Sequence, residues 1–154
     1  MIKYKDYFVV FEEIPDRVSL AVNITNCQNN CIGCHSPELR LNNGEELTEE
    51  VIDKLIKENH GIDWFLFMGE GKDHSRLMEL VRYIKENYTI KVAIYSGRDK
   101  VEIEYYDLFD YVKVGGYKEE CGPLNKETTN QRLYEIGEDG IKDITYRFWK
   151  KETA

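Results

Sequence analysis

No stretch of this 154-residue chain is apolar for long enough to cross a membrane. The apolar runs are short, such as residues 7–11 and 64–68, and fall well short of the ~18 residues that a spanning helix needs. The opening Met1-Ile2-Lys3-Tyr4-Lys5-Asp6 lacks the apolar region of a secretory leader. The expectation is a cytoplasmic protein with no membrane partner. A basic stripe is missing too: 21 Lys and Arg stand against 29 Asp and Glu, for a net charge of −8. Nucleic acid is therefore not an expected partner, because phosphate binding needs clustered cations. There is no internal repeat and no low-complexity tract. Cysteine is scarce, four in all, and unevenly spread: Cys27, Cys31 and Cys34 fall within eight positions while Cys121 stands alone. What is present is an ordinary globular mixture, 42% apolar with charges of both signs. A chain of this length buries about 70% of its unfolded surface and needs no disulfides. One domain over residues 1–154 is expected.

Two apolar runs, residues 7–11 and 18–24, flank a polar turn with Pro15 and predict a hairpin-like start. The cysteine-bearing loop follows directly. Thr48 with Glu49 and Glu50 predicts a helix start, and Val51, Ile52, Leu55 and Ile56 fall on one face. Residues 64–68 read as a buried strand ended by Gly69-Glu70-Gly71. Asp73 or Ser75 caps a further helix with Leu77, Leu80, Val81, Ile84 and Tyr88 as its stripe. Residues 90–95 read as another buried strand ended by Ser96-Gly97, and residues 101–108 as a short helical or irregular piece. Residues 111–114 read as a strand ended by Gly115-Gly116. Residues 117–131 read as a long loop, and residues 144–149 as a last strand because Thr, Tyr and Phe favour that state. Alternating strands and helices imply an α/β class and a parallel sheet with helical crossovers. In such sheets the site lies beyond the C-terminal strand ends, where all four polar or glycine-rich loops are expected to converge.

Three thiols in the spacing Cys27-x3-Cys31-x2-Cys34 admit four roles. They can be buried structural cysteines, but Asn26, Gln28, Asn29, Asn30 and Gly33 make a polar loop. They can bind zinc, which wants four tetrahedral ligands, although His35 adjoins Cys34 and Cys121 is remote. Cys31-Ile32-Gly33-Cys34 can be a redox dithiol, which leaves Cys27 unexplained. Or three thiolates can hold a four-iron cluster whose fourth iron stays open to substrate. A cytoplasmic setting keeps thiols reduced and points to metal or redox chemistry.

The Cys27, Cys31, Cys34 spacing after a strand resembles the signature of the radical S-adenosylmethionine superfamily. The resemblance implies an incomplete, laterally open parallel (β/α) barrel with an N-terminal hairpin-like extension. It implies a [4Fe-4S] cluster on Cys27, Cys31 and Cys34, with S-adenosylmethionine chelated to the open iron and cleaved to a 5′-deoxyadenosyl radical. Met68-Gly69-Glu70-Gly71 resembles the family's Gly-Gly-Glu element, with Met68 in place of the first glycine. Gly69, Glu70 and Gly71 are thereby cofactor-binding candidates, and so are Gly33, Cys34 and His35 beside the cluster. Ser96 is either a ribose contact or a turn serine.

Within the superfamily the chain resembles the activating proteins of anaerobic ribonucleoside-triphosphate reductases. Gly33 before Cys34, the step Tyr95-Ser96-Gly97, and Thr128-Thr129-Asn130-Gln131-Arg132 carry the resemblance, which spans roughly residues 11–136. Gly115-Gly116 departs from the Asp-Gly common in that group. The resemblance implies an oxidoreductase that makes a glycyl radical on the reductase large subunit, with a flavodoxin-like electron donor. No catalytic side chain is expected beyond the cluster and cofactor. Residues 117–131 are the expected docking surface for the reductase. The alternatives are a small-molecule radical enzyme resembling 7-deazapurine synthases, or a zinc or dithiol redox-binding module. Cys121 is expected to be a partly exposed structural thiol, His60 and His74 to lie on the solvent side near helix ends, and Arg132 to pair with an acidic side chain.

Overall fold

A computed structural model of the chain describes residues 1–10, 18–25, 44–116, 118, 120–122, 126–138 and 140–148. The loop that carries Cys27, Cys31, Gly33, Cys34 and His35 lies outside the described residues.

Strands β1 (Lys3–Val10) and β2 (Ser19–Ile24) pair antiparallel, with a register shift between Tyr4 and Asp6. They form the hairpin that the two apolar runs predict, while its connecting turn lies outside the described residues. A two-residue strand β3 (Glu45–Glu46), too short and polar to be legible, closes against Lys3 and Tyr4. Helix α1 (Glu49–Glu58) starts where expected, because the Thr48 hydroxyl accepts the Val51 N–H at 3.3 Å. Strand β4 (Trp64–Met68) leads to helix α2 (His74–Asn87), capped by Asp73, whose carboxylate accepts the Arg76 N–H at 3.2 Å. Strand β5 (Lys91–Tyr95), helix α3 (Ile103–Leu108) and strand β6 (Tyr111–Val114) complete the alternation.

The sheet of the described residues has eight strands in the order β3-β1-β2-β4-β5-β6-β7-β8, where β7 is Arg132–Gly137 and β8 is Gly140–Asp143. The central four, β2, β4, β5 and β6, are parallel neighbours, and antiparallel strands flank them on both sides. The C-terminal region corrects the sequence expectation. Arg132–Gly137 and Gly140–Asp143, for which no element was expected, pair antiparallel as β7 and β8, and Thr145–Phe148 is a 3-10 turn instead of a strand. Asp143 decides this. Its carboxylate accepts the Thr145 N–H at 3.0 Å, and the Thr145 hydroxyl in turn accepts the Leu133 N–H at 2.8 Å. Those local bonds compete with a further strand ladder despite the β-favouring side chains.

Each parallel strand is apolar on both faces, as a covered sheet requires. One face carries Leu20, Val22, Phe65, Phe67, Val92, Ile94 and Val112 against the helical stripes Ile52, Leu55, Leu77, Leu80, Val81, Ile84 and Tyr105. The other carries Ala21, Trp64, Leu66, Ala93, Tyr95, Tyr111 and Leu133, with the Trp64 and Tyr111 ring centres 4.2 Å apart. Among the described residues no helix is long and apolar enough to cross a membrane.

Candidate functional site

Parallel pairing of β2, β4, β5 and β6 sends their following loops off one edge of the sheet. Thr25 and the cysteine-bearing segment leave β2 there, Gly69-Glu70-Gly71 leaves β4, Ser96-Gly97 leaves β5 and Gly115-Gly116 leaves β6. The backbone stitches the last three together. Gly69 N–H donates to the Tyr95 carbonyl at 2.9 Å, Ser96 N–H to the Lys113 carbonyl at 2.8 Å, and Gly115 N–H to the Arg98 carbonyl at 2.7 Å. Asn130 Nδ2 donates to the Gly116 carbonyl at 3.0 Å, so residues 130–131 pack on the same edge.

Glu70 is the singular side chain of this edge. It is a carboxylate with only 7% of its side chain exposed. Arg98 Nε lies 2.5 Å from Glu70 Oε1 as an ion pair, and neither buried oxygen of Glu70 has a hydrogen-bond partner among the described residues. The Arg98 guanidinium is gripped from its other side by Glu102, at 3.0 Å from Nη1 to Oε1 and 2.7 Å from Nη2 to Oε2. These two bonds hold the Glu102 carboxyl at about 2, well below its ordinary value. His74 stands between the acids, Nε2 3.4 Å from Glu70 and Nδ1 3.5 Å from Glu102. The Tyr105 ring lies beneath, 5.9 Å from the guanidinium carbon, and burial pushes the Tyr105 phenol well up.

Of the sequence candidates, Gly69, Glu70, Gly71 and Ser96 come together on this edge. Ser96 is buried, and its hydroxyl accepts the Arg98 N–H at 3.1 Å, which is the turn role. Gly33, Cys34 and His35, with Cys27 and Cys31, lie outside the described residues. His60 is exposed near the end of α1, whereas His74 is drawn into the acidic pair. Arg132 pairs with Asp143 at 3.6 Å. Cys121 is a half-buried free thiol, and its carbonyl accepts the Thr128 hydroxyl at 2.6 Å. Sequence reasoning missed Arg98 and Glu102. Their i,i+4 spacing was visible, but nothing in the chain marks Glu70 as their neighbour.

Two observations bear on whether an iron–sulfur cluster fits. Among the described residues, no group of three His, Cys, Asp or Glu side chains is arranged to hold a metal ion. With Cys121 free, the thiols left are the three between positions 27 and 34, a donor set suited to iron. Gly71, at φ +65°, is packed so that a Cβ would stand 3.3 Å from Ile2 Cδ1 and 3.6 Å from the Thr25 carbonyl. Its backbone thus lies directly against the residue after which the cysteine-bearing segment departs. The residues present fit the group.

A sequence model of the 4Fe-4S single cluster domain matches residues 17–135, more than half of the chain and including all four cysteines. No curated protein and no solved structure matches. A family match over residues 17–135 and three clustered thiols agree: the chain belongs to the 4Fe-4S single cluster domain family.

Proposed function

We propose that this iron–sulfur protein is a radical S-adenosylmethionine oxidoreductase, the activating enzyme that generates a glycyl radical on the large subunit of an anaerobic ribonucleoside-triphosphate reductase. Cys27, Cys31 and Cys34 hold the [4Fe-4S] cluster, and its fourth iron is left for S-adenosylmethionine. When bound, the cluster supplies the single electron that sulfonium cleavage requires. The chain's own part is to bind and orient. Gly69, Glu70 and Gly71 present backbone and carboxylate to the amino end of the cofactor. Gly33, Cys34 and His35 are the cofactor contacts beside the cluster, and Ser96, one residue beyond β5, closes the adjoining turn through Arg98.

The observation that carries this reading is the buried Glu70 carboxylate, ion-paired with Arg98 but with no hydrogen-bond donor to either oxygen among the described residues, next to the strand end from which the cysteine segment leaves. A buried acceptor of that kind costs free energy unless something donates to it, and an ammonium group does so with charge assistance. The fold belonging to this function is the incomplete, laterally open parallel (β/α) barrel. The parallel run β2-β4-β5-β6 with α1, α2 and α3 over one face supports it. An open side admits a polypeptide loop, and residues 117–131 next to Gly115-Gly116 are the docking surface for the reductase. A flavodoxin-like protein supplies the electron, in the cytoplasm.

The experiment is anaerobic reconstitution with iron and sulfide, followed by S-adenosylmethionine turnover with and without the reductase. A glycyl radical signal that requires both proteins supports the activase. Turnover of a small molecule without any reductase replaces it by an enzyme resembling the 7-deazapurine synthases. A colourless, zinc-containing protein, or redox activity that survives C27S, replaces it by a zinc or dithiol module.

A further inference from the structure

We infer that Arg98 is a positioning residue for the cofactor turn: clamped by Glu102, it holds Glu70 and so fixes the backbone of Gly69-Glu70-Gly71 in its receptive shape. The inference rests on the proposed role of that turn in binding S-adenosylmethionine.

A carboxylate as buried as Glu70 is costly to keep charged unless a cation faces it. Arg98 supplies that cation, with Nε 2.5 Å from Oε1. The direction of the guanidinium is not left to chance. Glu102 binds both terminal nitrogens as a two-point fork, at 3.0 and 2.7 Å, so that Nε faces Glu70. Glu102 is the residue that opens α3, so the clamp is anchored on a helix start. The Tyr105 ring supports the guanidinium from below.

The main chain of Arg98 is equally engaged. Its N–H donates to Ser96 Oγ at 3.1 Å, and its carbonyl accepts the Gly115 N–H at 2.7 Å. One residue therefore joins the loops after β4, β5 and β6. Arg98 faces Oε1 as an ion pair, and neither carboxylate oxygen has a hydrogen bond among the described residues. The pairing thus orients the carboxylate while its acceptors stay available. Lysine cannot duplicate this geometry, because a point charge cannot bridge two carboxylates as a planar fork does.

The test uses the full chain, reconstituted anaerobically, as wild type, R98M, R98K and the charge-balanced double variant E70Q/R98M. Three quantities are measured: iron and sulfide content, the change that S-adenosylmethionine makes in the electron paramagnetic resonance spectrum of the reduced cluster, and amide hydrogen exchange at Gly69 and Gly71. R98M and E70Q/R98M should keep their iron and the spectrum of the cluster alone. They should bind S-adenosylmethionine about tenfold or more weakly, as expected when a positioned group is loosened, and exchange faster at Gly69 and Gly71. R98K should recover part of the affinity.

Should R98M fail to fold, amide exchange in E70Q/R98M decides, since that variant leaves no buried charge unpaired while its affinity also reflects the lost Glu70 carboxylate. Wild-type exchange at Gly69 and Gly71 in that double variant overturns the inference. If the wild-type spectrum does not respond to S-adenosylmethionine, it is the proposed function that fails. Exchange at Gly69 and Gly71 then still decides whether Arg98 holds the turn.

Discussion

The Gly71 α-carbon lies against the Thr25 carbonyl, so closely that an added Cβ would stand 3.6 Å from that oxygen and 3.3 Å from Ile2 Cδ1. The turn after β4 therefore packs against the exit from β2 and the side chains of Ile2 and Ile24. G71A combines a left-handed φ of +65° with the tight Ile2 contact. It should lower stability by about 1–2 kcal/mol, the cost of an L-residue in that region, and reduce iron incorporation. Chemical denaturation and iron analysis of the reconstituted variant check both effects.

The four thiols should not behave alike. C27S, C31S and C34S are each expected to lose most of the iron and sulfide, because each removes one of the three proposed anchoring thiolates. C121S should retain the wild-type content, since Cys121 is free and its backbone carries its contacts. Metal and sulfide analysis after anaerobic purification measures all four.

Gly115 is a harder position than Gly71. At φ +95° an added Cβ would lie 3.1 Å from the Gln131 α-carbon, a backbone atom that cannot rotate away. G115A should cost about 2 kcal/mol or more, combining left-handed strain with overpacking. It should also increase amide exchange across residues 130–131, which sit on Gly115-Gly116. Denaturation and exchange by mass spectrometry read these out.

Asp53 on α1 gathers the hydroxyls of Tyr83 and Tyr88 from the neighbouring α2 and its cap, with Tyr83 at 2.7 Å. Those bonds hold its carboxyl below the usual range and push the Tyr88 phenol up to about 12. D53A should cost about 1 kcal/mol, a modest figure because the site is solvent-facing and screened. Y88F in the D53A background should then cost little more, which a double-mutant cycle measures.

Glu102 gives a signed pH dependence. Its carboxyl lies at about 2 in the folded chain against 4.5 ordinarily, so it stabilises the fold above the higher value. That contribution fades as pH falls between the two and is gone below the lower. E102Q removes it, so the stability gap between wild type and E102Q should narrow across that window. The gap should be small, because Glu102 is 41% exposed. Acid denaturation of the two proteins side by side measures it.

Much of the molecule was legible where local chemistry and periodicity agree. Thr48 and Asp73 announce helix starts through side chains that bond nearby N–H groups, and the structure uses both. The strands at Trp64–Met68 and Tyr111–Val114 have the expected bounds because short apolar runs ended by glycine allow little else. Legibility failed where partners are remote. Residues 132–143 carry mixed polarity, and their strand character comes from pairing with β6 and with each other. The expected last strand gave way to a 3-10 turn because Asp143 and Thr145 bond locally to one another's groups.

At the candidate site the same division holds. The thiol spacing Cys27-x3-Cys31-x2-Cys34 was written in the chain as a local pattern, and the family match over residues 17–135 agrees with its iron–sulfur reading. Also written in the chain were the glycines, which permit backbone that other residues resist. The bond from Arg98 to Glu70 was not, nor the closing of three loops around it. Those depend on parallel strands bringing residues 28 positions apart to one edge, and on burial that gives a charge its need for a partner. Sequence by itself determined the chemistry that the chain can carry; only the tertiary structure decided which side chains stand together to orient it.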